Sequence, residues 1–176
     1  APMLQTVGKT TPWKSREQFA AAAKDPKAKI SYGSAGLGSI GQMGSELLNA
    51  MTGTYAVHVP YKGISNAVTD MIGGNIEMMI TTAASVSGPL KAGQIRPIAV
   101  TSPQRSKFAP GLPALSEQVP GFSLEVWWGV FAPAKPPKAL IDRLNAEIRA
   151  AGQTEEMREL YAPESTEPAT LTADQF

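Results

Sequence analysis

Residues 29–48 (KISYGSAGLGSIGQMGSELL) combine a short apolar strand, a glycine-rich turn and the start of an amphipathic helix. Ser39 stands at the expected N-cap of that helix, and Gln42 three residues later completes a capping-box pattern. The turn contains three glycines that allow positive φ angles and close approach to another molecule: Gly33, Gly36 and Gly38. Free N–H groups at the positive end of a helix dipole attract anions, so this segment predicts an anion site.

The predicted helix over residues 39–51 has an apolar stripe. Its members recur at helical spacing: Ile40, Met43, Leu47, Leu48 and Met51. This spacing predicts that the stripe is the buried face of the helix.

Strand and helix patterns alternate along the first hundred residues. The predicted strands cover residues 30–32, 55–59, 76–80 and 95–100, and the predicted helices cover 15–24, 39–51, 64–72 and 85–92. The apolar run at 76–80 is typical of a strand covered on both faces, and Pro97 suits an edge strand. This alternation predicts an α/β fold with a mostly parallel sheet, flanked by helices and built from right-handed βαβ units.

After residue 100 the pattern changes. Residues 102–121, rich in Pro and Ser, predict a long surface connection, 124–131 an aromatic strand and 132–137 a rigid linker. Two helices follow, one with an apolar side and one near 154–161; the apolar side comprises Leu140, Ile141, Leu144 and Ile148. A domain boundary is predicted near residues 125–128. Thr172 and Gln175 resemble a capping box whose helix has barely started, so the sequence is interpreted as a fragment.

The composition argues against several classes of protein. The chain has 176 residues, 43% of them hydrophobic, enough for a substantial core, but no apolar run approaches the ~20 residues of a membrane helix. A net charge of +1 without a cluster of basic residues argues against a nucleic-acid-binding protein, because such proteins attract phosphates with clustered positive charge. The absence of cysteine excludes disulfides and thiolate metal sites.

A second interpretation of the glycine-rich turn is a dinucleotide site. Gly36, Gly38 and Gly41 match the pattern G-x-G-x-x-G between a strand and a helix. That pattern also requires an acidic residue about 20 positions further on, where this chain has VPYK at residues 59–62. Lys62 would favour a 2′-phosphate, so an NADP-type oxidoreductase domain is the alternative to an anion receptor.

The sequence gives no support for catalysis. Ser34 is not part of a G-x-S-x-G elbow, and no phosphate-binding P-loop pattern occurs. His58, the only histidine, lies in a predicted strand, where histidine is more often structural than a base. One histidine without cysteine also argues against zinc. We therefore predict neither cofactor nor metal.

Three strand-to-helix turns carry backbone amides and small hydroxyl groups. They cover residues 33–39, 61–65 and 81–85, with hydroxyls from Ser34, Ser39, Ser65, Thr81, Thr82 and Ser85. In an open parallel sheet these turns meet at the carboxyl edge, where α/β proteins bind ligands, although the same residue types also serve ordinary turns and caps.

Two further groups of apolar residues are placed by their spacing. Trp127 and Trp128, adjacent in the predicted strand, would place one ring in the core and one at the wall of a cleft. Three methionines are predicted core residues: Met71, Met78 and Met79.

An ordered set of short motifs resembles the substrate-binding proteins of tripartite tricarboxylate transporters, the Bug-type receptors. The motifs are YGSAGLGS (32–39), HVPYKG (58–63), GGNIEMM (73–79), KAG (91–93), IAVT (98–101), PG (120–121) and WWG (127–129). The resemblance implies a two-lobed, type II periplasmic-binding fold that closes on a small organic carboxylate without catalysis. It also implies a periplasmic location and delivery to membrane subunits of a transporter; a sensing module with the same binding chemistry remains open.

The resemblance assigns lobes and ligand-binding residues as well. Residues 1–126 correspond to the second lobe and residues 127–176 to the returning part of the first lobe, whose N-terminal segment is absent. The predicted ligand-binding residues are Gly33, Ser34, Ala35, Gly36, Gly38, Ser39, Tyr61, Lys62, Thr81, Thr82, Ser85 and Trp127. Thr81 and Thr82 stand where similar proteins often carry Asp or Asn, which is compatible with a neutral or apolar ligand group there.

Overall fold

The computed structural model describes residues 1–162 and 165–176. These residues form two compact units, one over Pro2–Val126 and one over Trp127–Phe176 together with Ala1. We call them the sheet unit and the C-terminal unit.

The sheet unit is built on a five-stranded sheet with the order β3-β2-β4-β1-β5. The strands are β1 (Leu4–Gly8), β2 (Ser31–Ser34), β3 (Val57–Pro60), β4 (Met78–Thr81) and β5 (Ile95–Val100). β2 pairs in parallel with β3 and β4, whereas β1 pairs antiparallel with β4 and β5. Four strands therefore run in one direction, which confirms the mostly parallel α/β sheet, and Pro97 lies on an edge strand as predicted.

Strand β1 was not predicted from the sequence. It lies between β4 and β5, and all five of its residues are buried, including the polar Gln5 and Thr6. A strand covered on both faces shows no alternation of apolar and polar residues, and LQTVG is not a continuous apolar run either. Its pairing partners, more than 70 residues away, decide its place in the sheet.

Helices flank the sheet, and two follow in the C-terminal unit. The bounds are α1 (Arg16–Ala23), α2 (Ile40–Thr52), α3 (Ile64–Gly73), α4 (Ser87–Lys91), α5 (Lys138–Gly152) and α6 (Glu155–Tyr161), with single 3₁₀ turns at Pro26–Ala28, Ala84–Val86 and Leu115–Glu117. Ser15 and Ser39 cap α1 and α2 as predicted, since each hydroxyl accepts from the amide three residues further on (3.4 Å in both cases). Across the described residues, no helix is both long and apolar enough to cross a membrane.

Hydrophobic cores cover both faces of the sheet. β4 contributes to both: Met78 and Ile80 pack with Phe19 on one face, and Met79 packs with Met71 on the other. The apolar run of β4 thus has the two-sided burial that its sequence predicted, and the three predicted core methionines are buried.

The buried face of α2 differs from the predicted one. Leu48 is 2% exposed and Ile40 is half-buried, but Met43 is 63% exposed, and Leu47 and Met51 are exposed too. The residues that α2 buries are mostly small: Gly41, Gly44, Ser45 and Leu48.

Small residues face inward because α2 lies very close to β4. A Cβ atom added to Gly41 would come within 2.5 Å of the Ile80 carbonyl oxygen, and one added to Gly44 would collide with the side chain of Leu124. Larger side chains do not fit between helix and strand, so Met43 points outward. The buried face that hydrophobic periodicity predicted for this helix is therefore wrong.

The segment after β5 is more than a surface connection. Leu115, Val119 and Phe122 are buried and form a small core with Leu48 of α2. Leu115 begins a 3₁₀ turn (Leu115–Glu117), and the Pro- and Ser-rich sequence did not indicate that this segment is buried.

The aromatic strand predicted over residues 124–131 is wrong. Only Glu125 takes part in a bridge, an antiparallel one with Pro2, and residues 126–131 have no regular structure. Trp127 and Trp128 are 63% and 62% exposed, so neither is a core side chain. Without a ladder, the alternation that would bury one ring does not exist.

In the C-terminal unit, the apolar side predicted for α5 is largely exposed, including Leu140, Leu144 and Ile148. The predicted helix start at Thr172 is a turn instead. There, the Thr172 amide donates to Gln175 Oε1 (2.9 Å), which is half of the predicted capping box.

Replacing Gly41 with alanine should destabilise the sheet unit, because the added methyl group collides with the main chain of Ile80 and moves α2 away from β4. Overpacking of this kind typically costs about 1–3 kcal/mol, which urea denaturation measures as a change in the free energy of unfolding. The control is Gly88→Ala in α4, where a Cβ atom meets nothing within 4 Å. Equal stability of the two variants would contradict the close helix–strand contact.

Candidate functional site

Three turns lie side by side at one edge of the sheet. The glycine loop (residues 33–39) leads from β2 into α2, residues 61–63 follow β3, and residues 82–86 follow β4. β2 pairs in parallel with both β3 and β4, so the carboxyl ends of three neighbouring strands meet at this edge. Ligands of open α/β sheets bind at such edges, which makes this the candidate site.

The glycine loop requires glycine at two positions. The φ angle is +127° at Gly36 and +76° at Gly38, a region that other residues rarely adopt. A Cβ atom on Gly36 would also lie 3.2 Å from the Tyr61 carbonyl oxygen, whereas one on Gly38 would meet nothing within 4 Å. The main chain is therefore tightly packed at Gly36 and open at Gly38.

The amides around the start of α2 are of two kinds. The Gly38 amide donates to Gln42 Oε1 (2.6 Å), which fixes the loop to the first turn of the helix. Within the part of the chain that the structure describes, the amides of Leu37 and Ile40 have no protein acceptor. The 13-residue helix adds about half a positive charge at the same end. The loop thus presents N–H donors and a positive potential to an anion.

Ser34 is buried beneath the loop. It is 0% exposed; its Oγ donates to the Gly36 carbonyl (3.0 Å), accepts from the Gly36 amide (3.1 Å) and lies 2.7 Å from His58 Nε2. The predicted role of Ser34 as a hydroxyl donor to a ligand does not fit these contacts. Ser34 instead holds the main chain of the glycine loop.

Tyr32 and His58 extend this network towards α2. Their rings stack with centroids 4.9 Å apart and planes 22° apart, and the Tyr32 hydroxyl donates to the Glu46 carboxylate. Burial, followed by that carboxylate, raises the pKa of Tyr32. Sequence reasoning gave Glu46 no role and treated His58 as structural. The alternation of Tyr32 and Ser34 on one face of β2 is the signal that could have revealed the network.

The turn after β3 is fixed by Tyr61. Its amide donates to the Ser34 carbonyl (3.1 Å), and its hydroxyl donates to Asp70 Oδ2 on α3 (2.7 Å). The neighbouring Lys62 is exposed and brings a positive charge to the same turn.

The turn after β4 carries the remaining hydroxyl groups. Thr81 is buried, whereas Thr82 is half-buried and Ser85 is exposed. The two outer hydroxyls lie 2.8 Å apart in a mutual hydrogen bond, and the Ser85 amide donates to Thr82 Oγ1 (3.3 Å). Thr82 and Ser85 are therefore the accessible hydroxyls of this turn.

Trp127 belongs to the C-terminal unit. Its ring packs edge-on against Phe176 with centroids 5.4 Å apart and lies 6.4 Å from the ring of Phe131. The largely exposed indole offers apolar area and one N–H donor on the surface of that unit.

The chemistry of this edge is that of a donor site. Its groups are main-chain amides, one ammonium group and the accessible hydroxyls of Ser39, Ser65, Thr82 and Ser85, all of which bind anions. Among the described residues, no cluster of three or more His, Cys, Asp or Glu side chains could hold a metal ion.

Comparison with known proteins relates the whole chain to one family. A sequence profile described as "Tripartite tricarboxylate transporter family receptor" (TctC) matches residues 1–176. A curated relative from Pseudomonas sp. (strain P51), the "UPF0065 protein in tcbD-tcbE intergenic region", is 37% identical over 152 residues, which are 85% of this chain and 45% of that protein.

Solved structures share the fold. An R. palustris protein, Rpa4515, with adipate superposes with a TM-score of 0.85 at 30% identity, covering 97% of this chain and 57% of that one. The periplasmic binding protein BugD gives 0.81 at 26% identity, covering 94% and 56%. MatC from Rhodopseudomonas palustris with bound malate gives 0.78 at 25% identity, covering 93% and 56%. The fold is thus that of periplasmic binding proteins, and the chain spans about half the length of these relatives.

The titration of Tyr61 tests the geometry of the turn after β3. Burial, followed by the hydrogen bond to Asp70, raises the pKa of Tyr61 to about 12. Asp70→Asn should lower this pKa without returning it to the usual value of about 10, because burial remains. The pH dependence of tyrosinate absorbance measures the change, and Tyr61→Phe identifies the transition that belongs to this residue. A Tyr61 pKa that Asp70→Asn leaves unchanged would contradict the hydrogen bond.

Proposed function

Because the chain belongs to the tripartite tricarboxylate transporter receptor family, we propose that its glycine loop binds the carboxylate group of a small organic acid. The observation that carries this proposal is the pair of unpartnered amides, Leu37 and Ile40, beside the N-terminus of α2. An anionic oxygen satisfies such donors and gains from the helix dipole without any cationic side chain in the loop.

The other candidate residues contribute in different ways. Gly36 and Gly38 provide the main-chain shape, and Ser39 caps the helix that presents the amides. Thr82 and Ser85 supply hydroxyls at the neighbouring turn. The ligand contacts that we propose come from Ala35, Gly36, Gly38, Ser39, Lys62, Thr82, Ser85 and Trp127, with Gly33, Ser34, Tyr61 and Thr81 supporting them from within.

Binding energetics favour a site that is shared between two lobes. One helix N-terminus contributes about 0.3–2 kcal/mol to anion binding, whereas a micromolar dissociation constant requires about 8 kcal/mol. We assign residues 1–126 to the second lobe and residues 127–176 to the returning part of the first lobe. Closure of the lobes around the ligand would add contacts and exclude water.

Dicarboxylates are the ligand class that we favour. Two proteins of similar fold were solved with adipate and with malate, both of which carry two carboxylates. Thr82 and Ser85 would receive the distal part of such a ligand. We propose that the protein acts in the periplasm as a receptor that delivers its ligand to the membrane subunits of a transporter.

The dinucleotide alternative gains no comparable support. The family is one of transporter receptors, and Gly41, the third glycine of the pattern, is buried against Ile80. The acidic residue that would bind a ribose is also absent from residues 59–62.

Adipate and malate should shift the amide resonances of Leu37, Gly38 and Ile40 in nitrogen–proton correlation spectra of this chain, because the ligand oxygens accept from the loop. NMR detects such contacts even for weak, millimolar binding. Adipamide, which has the length of adipate without its charge, is the matched control and should leave the loop unchanged. A response to NADP alone would overturn the proposal in favour of the dinucleotide alternative.

Gly38→Val should abolish the adipate-induced shifts while the protein stays folded. A β-branched residue is strained at φ +76° and must move the loop, but nothing lies within 4 Å of its Cβ atom to disturb the core. Gly53→Val at the other end of α2 (φ +62°, nothing within 4 Å) introduces similar strain away from the loop and should retain the shifts. Unchanged adipate shifts in Gly38→Val would remove the glycine loop from the site.

A further inference from the structure

We propose that His58 is a positioning residue for the glycine loop: through the Ser34 hydroxyl, it fixes the main chain at Gly36 in the conformation that binds the anion. This inference rests on the proposed function, because it concerns the same loop. His58 itself is half-buried, and we assign it no contact with the ligand.

The sheet register explains how His58 reaches Ser34. Tyr32 on β2 is directly opposite His58 on β3, and Ser34 is two residues further along the same face of β2. A long side chain can contact such a diagonal neighbour across a strand pair. The His58 ring does so while it stacks on Tyr32, which places Nε2 at 2.7 Å from Ser34 Oγ.

The orientation of the histidine ring is fixed in turn by α2. Tyr32 is fully buried, and its hydroxyl donates to Glu46 on that helix. The helix thus contacts the glycine loop by two routes. One is direct, through the Gln42 side chain and the Gly38 amide; the other runs through Glu46, Tyr32 and His58 to the start of the loop.

Hydrogen-bond counting assigns the proton on His58. Ser34 Oγ has three partners: it accepts from the Gly36 amide, donates its only proton to the Gly36 carbonyl and contacts Nε2 of His58. A hydroxyl has one donor and two acceptor sites, so all three contacts are hydrogen bonds at the same time only if Nε2 carries a proton. If Nε2 were unprotonated, the Ser34 proton would turn to it and leave the Gly36 carbonyl.

The consequence concerns Gly36. The Ser34 hydroxyl contacts both the amide and the carbonyl of Gly36, and the carbonyl also accepts from the Ser39 amide (3.3 Å), at a φ angle of +127° that must be maintained against the flexibility of glycine. An N–H donor on His58 keeps that hydroxyl oriented. Loss of the donor frees the hydroxyl to rotate and weakens its hold on Gly36, so the adjacent Leu37 amide loses its fixed position, whereas Ile40 stays in place as the first residue of α2.

Two substitutions separate the donor from the ring. His58→Phe keeps an aromatic ring to stack on Tyr32 but has no N–H group, whereas His58→Gln carries an amide N–H at about the reach of Nε2 and has no ring. We expect His58→Phe to bind adipate about tenfold more weakly, the effect of one lost hydrogen bond, and His58→Gln to retain most of the affinity. Ser34→Ala should weaken binding similarly, and the double variant Ser34→Ala/His58→Phe should be no weaker than either single one.

NMR of the ligand-free protein provides a readout that does not depend on binding. The imidazole nitrogen shifts of His58 should show a protonated Nε2, and the Gly36 amide resonance should move in His58→Phe but not in His58→Gln. Equal loss of affinity in both variants would reduce His58 to a structural role and overturn the proposal. An unprotonated Nε2, or an unchanged Gly36 resonance in His58→Phe, would overturn it as well.

The two proposals fail in different ways. If the wild-type protein binds neither adipate nor malate, the receptor function is contradicted, while the His58 nitrogen shifts and the Gly36 resonance still decide the positioning role. If adipate binds and His58→Phe binds it equally well, only the positioning role fails.

Discussion

The close contact of helix α2 with strand β4, made through glycine residues of the helix, determines the geometry of the whole candidate site. Gly41 and Gly44 allow the helix to lie against Ile80 and Leu124 at a distance that no larger residue tolerates. A helix that packs so closely on the Ile80 main chain at Gly41 cannot shift without losing that contact. Its N-terminus is therefore held at the carboxyl edge of the sheet, and the glycine loop must cover the short distance from β2.

Next to this fixed helix, some main-chain groups of the glycine loop lack a hydrogen-bond partner and others are hydrogen-bonded within the protein. The amides of Leu37 and Ile40 have no acceptor among the described residues, whereas the Ser34 hydroxyl hydrogen-bonds the main chain of Gly36 from within. Such a division suits a receptor, because binding affinity is highest when donors are arranged before the ligand arrives. It also gives the buried Ser34 hydroxyl a role beneath the loop, to which we assign no ligand contact.

Local signals in the sequence were good guides to helices, caps and turns. The cap at Ser39 and the buried run of β4 follow from interactions within a few residues, and both were predicted. The exposed side of α2 at Met43 was not predicted, because it depends on how closely another strand approaches. Strand β1 and the irregular structure around Trp127 were not predicted for the same reason. Whether a segment pairs as a strand depends on distant parts of the chain.

The class of fold, the strand–glycine loop–helix unit and the family could be predicted from the sequence, because these depend on local spacing and on ordered motifs. The sequence also predicted an anion site at the loop, since glycines, a cap and a helix dipole are local features. Which groups of that loop lack a protein partner depends on tertiary contacts. Strand pairing brings His58 beside Ser34, 24 residues away, and turns its hydroxyl inward, whereas Leu37 and Ile40 remain open. Such contacts arise from register between strands, which no pattern within one strand can specify.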